Sequence, residues 1–186
     1  MEKPVTKPKQ GSILISEPSL RDFYFRQSVI LLVEHNDEGS FGVIINKPIE
    51  ARLKDIIKGF SFYNLPVYLG GPVKTDSIFF IHTRSNIEQS QPIMQGLYWG
   101  GDLDVIREML RSKVMLPREI RFFVGYSGWS PNQLDRELNE KSWVLSQTSV
   151  KEVINDHPES LWSNYLKNMG KDYAIWANFP ADPTFN

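Results

Sequence analysis

The fold of this chain is decided by the stretch Arg121-Phe122-Phe123-Val124-Gly125-Tyr126-Ser127-Gly128-Trp129-Ser130-Pro131-Asn132-Gln133. Its apolar beginning predicts a β-strand over 119–125. Gly125 and Gly128 then permit a tight turn with positive φ angles. The stretch therefore predicts a strand that a short turn joins to a helix.

The signals for the start of that helix are specific. Ser130 is a residue type that caps helices, Pro131 suits the first helical position, and Gln133 completes a capping box. The sequence predicts a helix over 130–140, with two leucines four residues apart on its buried face. Its first backbone amides could hold an anion, but capping by Ser130 is the favoured interpretation.

The remaining elements mix hairpins with helices and do not alternate strictly between strand and helix. Two apolar runs, 29–34 and 41–46, flank a glycine-containing loop and predict a β-hairpin whose strands are covered on both faces. Further predicted strands span 13–15, 67–69, 78–81 and 143–145, and further predicted helices span 53–58, 102–112 and 158–169. This order favours an α+β fold over a doubly wound parallel sheet.

Five spaced motifs carry a family resemblance. They are Gly11–Pro18, Phe25–His35, Phe41–Pro48, Leu69–Val73, and Gly125–Trp129 with the later Trp143. In this order they resemble the YqgE/AlgH family of bacterial proteins, which is largely uncharacterised and often labelled as transcriptional regulators. The chain departs from the family pattern at Asn132, where the family usually has glycine, and at Gly100-Gly101-Asp102. The resemblance implies a compact mixed fold, with a barrel-like sheet flanked by helices, but no particular reaction.

Composition bounds the domain organisation. The 186 residues, 41% of them hydrophobic, fit one globular domain over 11–186, preceded by a flexible arm over 1–10 and ending in a tail over 180–186. The chain has no cysteine, which excludes disulfides and thiolate chemistry. Neither a signal peptide nor a run of about 18 to 20 apolar residues is recognisable, so we expect a cytoplasmic protein with no membrane partner.

A hydrolase is one alternative function. Ser127 lies at the predicted strand-to-helix turn, where hydrolases place a nucleophilic serine. Trp129, however, stands where that turn requires glycine, and the serine would need a base from among His35, His82 and His157. The sequence does not show that any of these histidines approaches Ser127.

Metal binding is a second possibility with little support. Glu34 and His35, with Asp37 or Glu38 nearby, form the densest group of possible ligands, but their spacing matches no metal motif. A solvated turn explains these residues better, because asparagine, aspartate and glycine favour turns for their own reasons. We therefore expect neither a metal nor a cofactor.

Binding of a ligand or partner is the favoured hypothesis. Gly70-Gly71-Pro72 would allow close approach of the backbone to a ligand, and Asn46 could add polar contacts from a neighbouring strand end. The candidate surface continues through Gly128, Trp129 and the helix start at Gln133, although tryptophan is common both in cores and in binding hot spots.

Charge argues against direct binding of nucleic acid. The formal net charge is −1 and the pI is about 6.3, and the sequence contains no known DNA- or RNA-binding module. The sequence therefore predicts a non-enzymatic regulatory domain that binds a partner protein or a small ligand. A direct DNA-binding regulator and a hydrolase that uses Ser127 are the alternatives.

Overall fold

The computed structural model describes residues 7–20, 22–61, 63–154 and 157–179. Residues 1–6 of the predicted arm and the predicted tail over 180–186 lie outside the described residues. Gln10, at the end of the predicted arm, donates a hydrogen bond from Nε2 to the carbonyl oxygen of Pro92 at 2.8 Å. The chain is therefore tied to the sheet immediately before its first strand.

The described residues form ten strands and six helices. The strands are β1 (Ile13–Ser16), β2 (Val29–Asn36), β3 (Gly39–Ile44), β4 (Pro48–Arg52), β5 (Pro66–Leu69), β6 (Val73–His82), β7 (Gln91–Met94), β8 (Leu97–Trp99), β9 (Ile120–Trp129) and β10 (Trp143–Ser146). The helices are α1 (Leu53–Ile56), α2 (Leu103–Arg111), α3 (Gln133–Asn139), α4 (Val150–Val153), α5 (Leu161–Asn168) and α6 (Lys171–Trp176).

The strands form a mixed sheet in the order β10-β1-β2-β3-β9-β6-β8-β7. The pairs along this path are antiparallel, whereas β5 pairs in parallel with β9 and carries β4 on its other side. The predicted α+β fold is confirmed. The path ends at β10 and β7, so within the described residues the sheet is open and is not a closed barrel.

Strand β9 corrects the prediction of a turn over 125–129. It continues to Trp129 because its second half has a strand partner: Gly42 pairs with Ser127, Phe41 with Gly128, and Ser40 with Trp129. Gly125 does adopt a positive φ of 67°, but as an irregularity inside the strand. Pairing with β3 therefore holds extended a segment that its glycines alone would allow to turn.

Helix α3 also begins later than predicted. Its N-cap is Asn132, in the left-handed conformation with φ of 60°, and not Ser130. One half of the predicted capping box is present, since Gln133 Oε1 accepts a hydrogen bond from the backbone N–H of Ser130 at 3.0 Å. Residues 130–132 therefore connect the end of β9 to the first residue of the helix.

Side chains are buried on both faces of the sheet, as the continuous apolar runs predicted. In β2, Leu31 and Val33 belong to one core, which α4, α5 and α6 cover, whereas Ile30 and Leu32 belong to a second core beneath α3. A third core lies between the β5, β6 and β9 region and helices α1 and α2. No helix among the described residues is long and apolar enough to cross a bilayer.

Glu137 on α3 connects that helix to the sheet through hydrogen bonds. Its Oε2 accepts hydrogen bonds from the indole N–H groups of Trp129 at 2.8 Å and of Trp143 at 2.7 Å. Its Oε1 accepts a third from Gln133 Nε2 at 2.9 Å. Both indoles are buried and meet edge to face, so a single carboxylate satisfies two buried donors on β9 and β10.

We expect Glu137→Gln to destabilise the fold. Glutamine is neutral, so the two indole donors lose their charged acceptor, and its amide nitrogen would face the Gln133 Nε2 donor, which together cost about 1–3 kcal/mol in the free energy of unfolding. Urea denaturation measures this loss. Glu140→Gln, at an exposed residue just after the helix, removes the same charge and should leave stability nearly unchanged. Equal unfolding midpoints for the two variants would contradict the role of Glu137.

Candidate functional site

A groove lies on the face of the sheet that belongs to the first core. Its volume is about 700 Å³. It lies between the end of the β2–β3 hairpin and the β6, β8 and β9 region. Its lining residues are Glu34, Asn36, Glu38, Gly39, Ser40, Phe41, Val73, Lys74, Phe79, Trp99, Tyr126, Gly128, Trp129, Ser130 and Pro131.

Four aromatic rings form the floor of this groove, and each ring contacts two others. Phe41 and Trp99 lie 5.6 Å apart between ring centroids, and Trp99 stacks on Phe79 at 5.5 Å. Tyr126 closes the cycle, at 5.6 Å from Phe79 and 5.9 Å from Phe41. All four side chains are only partly buried. The floor is therefore an apolar surface that solvent still reaches.

Sheet register brings these rings together from four different strands. Phe41 on β3 lies opposite Gly128 on β9, two residues from Tyr126. Phe79 lies on β6, which pairs with β9. Trp99 lies on β8, which pairs with β6. Because Gly128 has no side chain, it leaves the space beside Phe41 open, which is where the groove lies.

An irregularity in the β2–β3 hairpin places an acid at the groove. The register of the two strands shifts between Leu32 and Glu34, so that Glu34 lies opposite Phe41. Glu34 thus lies on the same face of the sheet as the aromatic rings. Its Oε1 accepts a hydrogen bond from Asn36 Nδ2 at 2.5 Å. A bulge of this kind redirects side chains without ending the strand.

The opposite rim contains a strained lysine. Lys74 on β6 has a φ of 50°, which is uncommon for a residue other than glycine. Here Val73 pairs with Tyr126 and Ile78 with Val124, so β6 holds more residues than β9 between the two pairs. The surplus forms a bulge of exposed residues at the edge of the groove. Backbone strain of this kind is concentrated at functional sites.

Only part of the predicted binding surface lines the groove. Gly128 and Trp129 do, but Trp129 is 6% exposed and belongs mainly to the core. Gly70 and Gly71 are buried, and Pro72, although exposed, is not among the groove residues. These three residues therefore do not line the groove.

Gly70 and Gly71 have a structural explanation. A Cβ atom on Gly70 would lie 2.1 Å from the carbonyl oxygen of Gly125, and one on Gly71 would lie 2.4 Å from Ser127 Oγ. The expected close approach of the backbone is present, but the approaching partner is β9 itself.

The polar side chains in and beside the predicted surface already make hydrogen bonds within the fold. Asn46 is buried, accepts from the N–H of Val29 at 2.8 Å and donates to the carbonyl of Gln27 at 2.9 Å. Gln133 is held by Glu137 and Ser130, as described above. Lys47 donates from Nζ to the carbonyl of Tyr24 at 2.7 Å, and burial, followed by the nearby Arg26, lowers its pKa to about 8.

The acceptor of the Ser127 hydroxyl hydrogen bond is a backbone carbonyl and not a histidine. The Ser127 side chain is fully buried, and its Oγ donates to the carbonyl oxygen of Gly70 at 3.0 Å. His35 instead contacts Ser40, with 2.7 Å between Nδ1 and Oγ, across the end of the hairpin. The geometry thus gives Ser127 a structural bond in place of the base that hydrolysis would require.

His82 is also built into the fold. It is fully buried, with Nε2 donating to the carbonyl of Gly100 at 2.9 Å and Nδ1 accepting from the N–H of Arg84 at 3.2 Å. Its ring stacks on Tyr98. Both nitrogens are used by the neutral imidazole, and burial lowers the pKa of His82 below 6.5.

The possible metal ligands are separated by the hairpin. Glu34 lines the groove, whereas His35 lies in a smaller polar pocket of about 430 Å³ with Asp37 and Asp135. Within the part of the chain that the structure describes, no three His, Cys, Asp or Glu side chains are placed to hold a metal ion.

The aromatic floor was not among the residues that the sequence singled out as a site. Phe41 and Tyr126 lay within two of the recognised motifs, but the four aromatic residues stand in separate segments with no shared spacing. Phe41 begins a predicted strand, Phe79 lies within another, and Trp99 precedes a pair of glycines, but none of these positions indicates a shared site. The strand order is what places them side by side.

Comparison with known proteins agrees with the motif resemblance. The sequence model of the AlgH-like family matches residues 13–174. A UPF0301 protein of Bacteroides thetaiotaomicron is 44% identical over 180 residues, which cover 96% of this chain and 92% of that protein. A UPF0301 protein of Chlorobaculum parvum is 41% identical over 179 residues, which cover 96% of each chain.

Two solved structures are also similar to this chain. The crystal structure of a Corynebacterium diphtheriae protein has a TM-score of 0.78 at 22% identity, covering 96% of this chain and 95% of the other, which shows a common fold. The solution structure of the AlgH protein from Pseudomonas aeruginosa has a TM-score of 0.72 at 26% identity, covering 96% and 97%.

We expect Gly70→Ala to destabilise the protein strongly. The added methyl would collide with the Gly125 carbonyl, and such overpacking costs about 1–3 kcal/mol or more in the free energy of unfolding. Thermal and urea unfolding measure the effect. Gly128→Ala on β9 is the matched control, because the nearest atom to its Cβ would be in the Tyr126 ring, at 3.4 Å, which is an ordinary van der Waals contact. A Gly70→Ala protein as stable as Gly128→Ala would contradict the close-packing account.

We expect stability to fall as pH decreases below 6.5, in part through His82. In the unfolded chain this histidine binds a proton near pH 6.5, whereas burial keeps it neutral in the folded state to a lower pH. Its contribution is therefore fully present above pH 6.5 and is lost as pH falls toward its folded pKa. Urea unfolding between pH 8 and 5 should show a steeper loss for the native protein than for His82→Gln. Parallel pH profiles would refute this assignment.

Proposed function

The chain belongs to the AlgH-like family, and from that premise we propose that it is a non-enzymatic domain that binds a small organic ligand in a regulatory role. The groove on the first-core face is the proposed binding site. The observation that carries this proposal is the cycle of four partly exposed aromatic rings on the groove floor.

The size and chemistry of the groove suit a small ligand. Its volume of about 700 Å³ lies within the usual range of roughly 300–1,000 Å³ for ligand sites. Such sites combine an apolar floor with a few polar groups, and here Asn36, Glu34 and Lys74 lie around the rings. Partly exposed aromatic side chains that form one continuous surface favour a binding role over chance exposure.

Binding is favoured over hydrolysis because the hydroxyl of the candidate nucleophile, Ser127, already donates a hydrogen bond within the fold. Ser127 is buried and bonded to Gly70, on a segment whose neighbours cannot move without breaking strand pairing. The His35–Ser40 pair connects the two arms of a hairpin, and the Ser40 side chain is buried, which fits a structural bond.

Binding of a small ligand is also favoured over direct contact with DNA. The charged residues of the groove are Glu34, Glu38 and Lys74, so acids outnumber bases there. A surface of this charge would repel a phosphate backbone, whose affinity depends on clustered cations.

The position of the groove offers a route to regulation. It lies between the end of the β2–β3 hairpin and the bulge in β6, two segments from different parts of the chain. A ligand that contacts both would restrict their relative motion, and a partner protein could detect that change. The partner protein of the sequence hypothesis would then act downstream of ligand binding.

We expect benzyl alcohol, a small neutral aromatic probe, to bind the groove. The indole N–H signal of Trp99 in a proton–nitrogen NMR spectrum should shift on titration, while that of Trp162, which donates to the Ser16 carbonyl in the buried core, stays in place. Tyr126→Leu keeps an apolar side chain but removes one ring, and should weaken binding by about tenfold. Tyr63→Leu, in the third core, should bind normally.

Two results would overturn the proposal. One is a Trp99 signal that does not move at saturating probe. The other is an equal loss of affinity in Tyr126→Leu and Tyr63→Leu, which would show that the probe reports on general stability and not on the groove. Circular dichroism of each variant confirms that it is folded before titration.

A further inference from the structure

We propose that the groove selects an organic cation, namely a small molecule that carries an alkylammonium or guanidinium group. This inference rests on the proposed function and adds the chemical class of the ligand. It follows from two independent features of the site, the aromatic cycle and the excess of acidic residues at the rim.

The aromatic cycle supplies faces of negative electrostatic potential. Phe79 meets Tyr126 with an interplanar angle of 89°, and Phe41 meets Trp99 at 64° and Tyr126 at 72°. Trp99 stacks on Phe79, the other three contacts are edge to face, and all four rings remain partly exposed where they line the groove. The face of an aromatic ring attracts a cation, and tryptophan attracts it most strongly. Several rings around one space form the cage that binds quaternary ammonium groups.

The rim adds complementary charge. Glu34 is directed to the groove face by the register shift in the hairpin, and Glu38 lines the groove from the hairpin turn. Lys74, on the far side, is the one basic residue among the described lining residues. The carboxylates therefore outnumber the ammonium group, and the sum favours a positively charged ligand.

The groove is poorly suited to an anion of similar size. Tight anion sites use converging backbone amides or arginine forks, whereas the floor here consists of side-chain rings. A carboxylate or phosphate would meet ring faces that repel it and two acids at the rim. Lys74 alone could attract such a group, at the outer edge.

The ligand is a free molecule and not a basic side chain of a partner protein. The groove volume matches that of a complete small ligand, and its lining includes residues of β2, β3, β6, β8 and β9. A single lysine or arginine side chain would leave most of that volume unfilled.

The test compares three probes that share one phenyl ring and differ in charge. These are benzyltrimethylammonium, benzyl alcohol and benzoate, each titrated into the isotopically labelled protein with the Trp99 indole signal as the reporter. We expect the cation to bind about tenfold more tightly than benzyl alcohol at low salt. Benzoate should bind more weakly than benzyl alcohol, and added salt should reduce the difference.

Charge variants separate the contribution of the rim from that of the rings. In Glu34→Gln/Glu38→Gln the preference for the cation over benzyl alcohol should fall by about threefold, with affinity for benzyl alcohol unchanged. The matched control Glu140→Gln/Glu159→Gln removes two exposed acids outside the groove and should preserve the preference. Lys74→Gln should increase it.

The outcomes distinguish this inference from the proposed function. If all three probes shift the Trp99 signal with equal affinity, or if benzoate binds best, the cation inference is overturned while the groove remains a binding site. If none of the probes shifts the signal, the proposed function itself fails. A preference that the control double variant abolishes as fully as the rim variant would assign it to net charge and would also overturn the inference.

Discussion

The structure depends on the close packing of Gly70 and Gly71 against strand β9. One edge of β9 pairs with β5 over its first half and with β3 over its second half, and the partner changes at Gly70. The Gly70 N–H donates to the carbonyl of Val124, and its own carbonyl accepts from both Ile44 N–H and Ser127 Oγ. Any side chain at Gly70 would collide with the Gly125 carbonyl, so three strands meet here only because glycine is present.

The groove is a consequence of this junction. Since β3 replaces β5 as the pairing partner along the second half of β9, Phe41 lies beside Tyr126. Strand β6, on the other edge of β9, contributes Phe79. The same β3 pairing that keeps the second half of β9 extended also places Trp129 on the opposite face, where Glu137 binds its indole N–H. One face of this region is thus closed by α3, whereas the other keeps partly exposed rings.

Irregularities in the strands, more than the regular sheet, give the groove its chemistry. The register shift after Leu32 sends Glu34 to the aromatic face, and because successive side chains of a strand alternate, His35 lies on the opposite face. The bulge that begins at Lys74 forms the other rim. The densest group of possible metal ligands in the sequence is therefore divided between two surfaces, and Glu34 contributes to the acidic rim of the aromatic groove.

The sequence by itself determined the α+β class, the family and most of the long strands and helices, because apolar periodicity and capping residues act locally. It could not determine the short strands β4, β7 and β8, two of which contain proline and all of which are held by pairing with neighbours. Nor could it show that 125–129 is strand, since the pairing with β3 overrides the local preference of Gly125 and Gly128 to turn. The four rings of the groove are separated along the chain and share no spacing, so only the strand order, a tertiary property set by long-range pairing and core burial, brings them into contact.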